Sequence, residues 1–219
     1  QESAQQDARE LTDGNAWEGT IAHELFHQWF GDYVTAESWS NLTVNESFAD
    51  YSQFLWEEYK YGADYAAWET YSGMRTYLGS PSNTSKDLVR FYYADKEDMF
   101  DGVSYSKGGR ILHMLRKYVG DDAFFKSLNK YLTDNKFGNG SAHKLRLAFE
   151  AVTGKDLNWY FNQWYFGSGH PKLEINYGYN ADTKMAALYL KQTQGDKLFK
   201  LPITVDVYEG AVKKRHMIW

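Results

Sequence analysis

His23, Glu24 and His27 carry the sharpest chemical content in this chain. They form the pattern His-Glu-x-x-His inside residues 17–30, a stretch that reads as helix. A helix turns by about 100° per residue, so side chains four apart share a face, one turn above each other. Two imidazoles so placed can chelate one zinc ion, and the Glu between them points at the remaining coordination position. Two solvated helical histidines satisfy the same pattern, so further residues must be found to support it.

A catalytic zinc takes three protein ligands and leaves a fourth position for water. Eighteen residues separate His27 from Glu46, which lies in Asn45-Glu46-Ser47-Phe48-Ala49-Asp50 at the opening of a second helical segment running to about Tyr61. A turn through Gly31 and a loop over residues 35–41 lets that segment fold back beside the first. Glu46 is then the candidate third ligand. Taken alone it is an acid near the positive end of a helix dipole.

The segment HELFHQWFGDYVTAESWSNLTVNESFADY, residues 23–51, resembles the gluzincin aminopeptidase family, whose members include aminopeptidase N and leukotriene hydrolase. That family carries HExxH, eighteen residues, then Glu, usually within an NEGFA-like sequence. The resemblance implies that His23, His27 and Glu46 are the ligands of one zinc and that Glu24 is the catalytic acid/base. Ser47 stands where the family often has Gly. Tyr105-Ser106-Lys107-Gly108 precedes an apolar helix, residues 109–118, in the order of the family's YxKG motif. The Tyr of that motif donates its hydroxyl to the oxyanion of a tetrahedral intermediate. A donor opposite the metal stabilises charge that develops only in the transition state. Without the motif Tyr105 would be packing, since the chain has 18 tyrosines.

The chemistry implied is metal-assisted amide hydrolysis: zinc acidifies a bound water and polarises the scissile carbonyl. Glu24 takes the water proton and delivers it to the leaving amine. Ligand imidazoles are normally held through their free N–H by a carboxylate, and Asp50, one turn after Glu46, is the candidate for that work. Asp32 and Glu37 are alternatives, each of which reads more readily as a solvated loop acid.

These residues need helices to place them, and the periodicity supplies them. Residues 17–166 read as mainly α, with helices over 63–78, 107–118, 121–135, 142–152 and 157–165 separated by glycine-containing breaks. Residues 80–100, with Pro81, read as a long loop. After Gly167-Ser168-Gly169-His170-Pro171 the period becomes two, and residues 173–177, 186–192, 203–208 and 213–219 alternate like strands. By resemblance this is the passage from catalytic helices into a β-sandwich. The expected organisation is the helical C-terminal half of a thermolysin-like zinc peptidase catalytic domain, residues 1–168, followed by the first strands of a β-sandwich domain, residues 169–219. His170 reads as a linker residue rather than a further ligand.

Composition excludes other classes. The net charge of −5, with no basic run, argues against nucleic acid. No apolar stretch is long enough to span a bilayer, and residues 1–15 are polar, without the apolar core of a secretory leader. Zero cysteines remove disulfides and thiolate ligands and leave the compartment open. Aromatic residues make up 18% of the chain, mostly for packing, with a minority available to line a cleft.

The family's GxMEN motif, whose Glu binds the free amine of the substrate, is absent upstream of the zinc helix. The expectation is therefore a fragment of a zinc aminopeptidase acting on peptides with a free N-terminus, with the missing parts of its own parent chain as partners. A thermolysin-like endopeptidase, a relative acting on an epoxide, and a non-catalytic zinc-binding scaffold are the alternatives.

Overall fold

The computed structural model describes residues 17–195 and 197–219. The leader reading for residues 1–15 lies outside them. The chain divides into two compact units, Gln1–Gly169 and His170–Trp219.

In the first unit α1 (Glu18–Phe26) and α2 (Thr43–Tyr61) pack side by side. Small residues permit the approach: Ala49 is fully buried, and the Ser52 hydroxyl donates to the Ala22 carbonyl at 3.1 Å. α2 is the centre of the unit, with α3 (Ala63–Leu78), α4 (Gly108–Val119) and a five-residue π-helical turn, Val103–Lys107, also packed on it. Its inward face buries Val44, Phe48, Tyr51 and Phe54, which repeat at helical spacing. Gly62 ends α2 at φ +90, a conformation that side chains rarely adopt, and starts α3 at once.

α5 (Asp121–Asn135), α6 (Ala142–Thr153) and α7 (Asn158–Trp164) complete the helical set. The Ser141 hydroxyl caps α6 by accepting from the Lys144 N–H, and Gly154 closes it in the left-handed conformation. A ring stack joins the halves: Phe30 lies 4.2 Å from Phe48 and 6.0 Å from Tyr131, nearly parallel to both. The buried Arg116 guanidinium makes two hydrogen bonds to Asp121, at 2.9 and 2.7 Å, and one to Glu58, tying α2, α4 and α5 together.

Two sequence readings are corrected. The first helix does not run over residues 17–30: it ends at Phe26, and residues 27–34 continue with backbone bonds that tighten and then widen, such as Trp29 N–H to Phe26 and Asp32 N–H to His27. Residues 35–41 are not all loop, because Val34–Ala36 forms β1 and pairs in parallel with β2, Gly138–Gly140. Both strands are too short for an alternating pattern, and the residues between them are mostly helical.

The second unit consists of two antiparallel hairpins, β3 (Leu173–Asn180) with β4 (Met185–Gln192) and β5 (Ile203–Glu209) with β6 (Val212–Ile218). The Asn180 side chain accepts the Asp182 and Thr183 N–H groups and fixes the first turn. Asp206 and Arg215, directly opposite in register, form a two-bond ion pair at 2.7 and 2.9 Å. Among the described residues, no helix is long and apolar enough to cross a membrane.

Candidate metal centre

His23, on α1, and Glu46, in the first turn of α2, are brought together by the packing of the two helices. His27 is the residue that follows α1 and keeps helical dihedrals (φ −59, ψ −19), so its side chain still lies one turn above His23. The two rings meet edge to face at 4.9 Å. Oε2 of Glu46 lies 3.2 Å from Nε2 of His23 and 3.4 Å from Nε2 of His27. One donor atom from each residue falls within 4.8 Å of the others, the one such group among the described residues.

These separations fit a metal. Bonds of about 2.0–2.1 Å at tetrahedral angles put neighbouring donors about 3.3 Å apart, and both contacts of Glu46 match that edge. The donor set, two imidazoles and a carboxylate, is of the kind zinc takes, and the chain has no thiol to compete.

The far side of each ring is also engaged. His27 Nδ1 donates to the Phe30 carbonyl at 3.0 Å, which leaves the Nε2 lone pair facing the centre. Gly31 makes room there, since a Cβ would sit 2.8 Å from the His27 carbonyl oxygen. His23 Nδ1 faces the Gln53 side-chain amide at 3.1 Å. Asp50, the sequence candidate for such a contact, points its carboxylate at Arg110, 3.4 Å away. Asp32 accepts from Gln28 and Glu37 from Asn41. Gln53 escaped the sequence reading although it lies seven residues after Glu46, two turns along one helix face.

Glu24 is exposed on α1, one residue past His23. Its charge is close enough to act on both His27 and Tyr105. Tyr105 comes from the π-helical turn, and its ring stacks over His23 at 6.0 Å and 26°. π-helical turns inside helical segments occur often at functional sites.

The electrostatics follow from this crowding. Burial pushes the Glu46 carboxyl up, but hydrogen bonds with His23 and His27 outweigh it and hold the group at about 2. The Glu46 carboxylate raises His27, working against the burial of the ring. Burial, with the Glu46 charge beside it, pushes the Tyr105 hydroxyl well above the usual tyrosine range. Tyr105 therefore stays an O–H donor at neutral pH.

Residues 4–164 match the profile of the Peptidase family M1 domain. The chain belongs to peptidase family M1. Within that family it is 34% identical over 200 residues to Tricorn protease-interacting factor F2 of Thermoplasma volcanium, covering 88% of this chain and 25% of that protein. It is 34% identical over 179 residues to aminopeptidase N of Streptomyces lividans, covering 79% of this chain and 21% of the relative. The M1 fold is shared with aminopeptidase A of Legionella pneumophila, solved with aspartic acid, at TM-score 0.73 and 23% identity over 91% of this chain and 23% of that one. A mutant of the M1 zinc metallopeptidase of Deinococcus radiodurans, bound to a Tyr-Ser-Ala substrate, aligns at TM-score 0.60 and 30% identity over 71% and 34% of the two chains. This M1 chain thus spans about a quarter of the length of the curated relatives it matches.

Proposed function

We propose that this chain carries the metal-binding part of a zinc aminopeptidase, one that removes the first residue of peptides with a free N-terminus. The observation that carries the reading is the position of Glu46 Oε2, at tetrahedral-edge distance from both imidazole Nε2 atoms. His23, His27 and Glu46 are the ligands of a single zinc. The aminopeptidase assignment draws support from the Streptomyces relative and from the substrate held by the Deinococcus enzyme.

A zinc bound there supplies a Lewis acid that polarises an amide carbonyl and acidifies water. Glu24, exposed beside the ligands, takes the proton from the attacking water and returns it to the leaving amine. Tyr105 keeps its proton and donates a hydrogen bond to the oxygen on which negative charge builds up. Gln53 holds the His23 ring, its side-chain Nε2 lying 3.1 Å from Nδ1, and the Phe30 carbonyl holds the His27 ring by accepting its Nδ1–H. Asp50, half-buried beside Arg110, bears on His23 through its charge. In this reading residues 1–168 belong to the catalytic domain and residues 169–219 begin a β-sandwich.

Hydrolysis of an unblocked tripeptide, compared with its N-acetylated form, tests the assignment. Activity on the free peptide alone, lost in Glu24→Gln with zinc retained, supports it. Equal cleavage of both forms replaces it with an endopeptidase.

A further inference from the structure

Tyr105 lies on a turn that two separate anchors fix. Asp101 is at the first. Its Oδ1 accepts the N–H groups of Val103 and Ser104 at 3.0 and 3.1 Å, capping the π-helical turn, and its backbone carbonyl accepts the Tyr105 N–H at 3.1 Å. Its Oδ2 accepts from Arg90 and from Lys86, both at 2.8 Å.

Arg90 is buried, 2% exposed, and its remaining hydrogen bonds go to the carbonyls of Asp87 and Asp98, at 3.0 and 2.8 Å. Residues 86–101 are therefore gathered around one guanidinium, and that guanidinium holds the carboxylate capping the Tyr105 turn. A buried cation with fixed partners cannot shift without leaving its charge uncompensated.

Ser47 supplies the second anchor. Its hydroxyl donates to the Ser104 carbonyl at 2.6 Å and meets the Thr43 hydroxyl at 2.7 Å. Ser47 follows the ligand Glu46, so the turn is tied to the helix that holds the centre.

We propose that Asp101, braced by Arg90, is a positioning residue that sets where the Tyr105 hydroxyl stands relative to the metal ligands. The proposal rests on the reading of Tyr105 as the oxyanion donor. Asp101 touches neither substrate nor metal; it acts through the turn. Asp101→Asn keeps the shape and one acceptor for the capping N–H groups. It places an amide against the Arg90 and Lys86 donors, or an oxygen there and the amide against the backbone donors. Either choice sets donor against donor and displaces the turn.

The test is a double-mutant cycle in the intact, zinc-loaded protein, using an unblocked tripeptide. Tyr105→Phe is expected to lower kcat by about a hundred- to a thousandfold. Asp101→Asn is expected to lower it by about ten- to a hundredfold, with KM nearly unchanged. The double variant is expected to be no slower than Tyr105→Phe, because the hydroxyl that Asp101 positions is already gone.

Two readouts apart from turnover accompany it. Zinc affinity, measured by chelator competition, stays at the wild-type value in Asp101→Asn. Affinity for a peptide phosphinate, which mimics the tetrahedral species, falls in step with kcat/KM. Arg90→Lys keeps the charge and gives the same non-additivity at smaller amplitude, so the proposal stays testable even if Asp101→Asn fails to fold.

Multiplicative losses in the double variant overturn the positioning role and leave Tyr105 as donor. Wild-type turnover in Asp101→Asn and Arg90→Lys does the same. Wild-type turnover in Tyr105→Phe overturns the donor reading, and the positioning role with it.

Discussion

The Glu46 carboxylate stands 3.4 Å from Nε2 of His27, whose other ring nitrogen is committed to the Phe30 carbonyl at 3.0 Å. The ring therefore has one free nitrogen, and that nitrogen faces a carboxylate held at about 2. Without metal, a proton joins the two groups; with metal, the same nitrogen offers its lone pair. Proton and metal compete for one position.

This competition predicts how stability depends on pH. Glu46, lowered from 4.5 to about 2, contributes above its unfolded value and loses that contribution as pH falls toward 2. His27, raised from 6.5, contributes below its unfolded value and loses it as pH rises through the folded one. Chelator-treated protein should melt highest between about pH 4.5 and 6.5. Ligand imidazoles must be neutral, so the stabilising increment from zinc should grow above that window. Calorimetry with and without zinc measures both, and an increment independent of pH contradicts the account.

Gln53 and Asp50 separate in a zinc titration. Gln53→Leu removes the group facing His23 Nδ1 and should weaken zinc affinity by about ten- to a hundredfold. Asp50→Asn, which acts on His23 through charge alone, should weaken it less. The opposite ranking in chelator competition would give the orienting role to Asp50.

Ser47 and Gly108 should be coupled in stability. A Cβ on Gly108 would lie 1.9 Å from the Ser47 hydroxyl oxygen and 2.5 Å from its Cβ, and that hydroxyl is fixed by two hydrogen bonds. Gly108→Ala should cost about 1–3 kcal/mol. Adding Ser47→Gly should recover part of that loss by clearing the space. Denaturant unfolding of the single and double variants measures it, and additive losses would show that the contact does not limit packing.

What the sequence made legible was local or periodic. Asp121–Asn135 is bounded as read, because acids follow Gly120 and the apolar residues keep helical spacing. Glu46 was reachable because the two helices need only a short return to bring it beside His23. The pairing of Val34–Ala36 with Gly138–Gly140 was not, since three residues carry no period and the partner lies far along the chain. Gln53, Arg90 and Asp101 were also hidden. A polar side chain acquires such a role from what packs against it, and single-chain spacing does not record that.

The most direct test of the central claim is metal analysis of the purified protein combined with zinc-edge X-ray absorption. The account predicts one zinc per chain, with two imidazole nitrogens and a carboxylate oxygen at about 2.0–2.2 Å, and loss of the metal in His23→Ala and in Glu46→Gln. One zinc per chain persisting when His23, His27 and Glu46 are all replaced by Ala would contradict it.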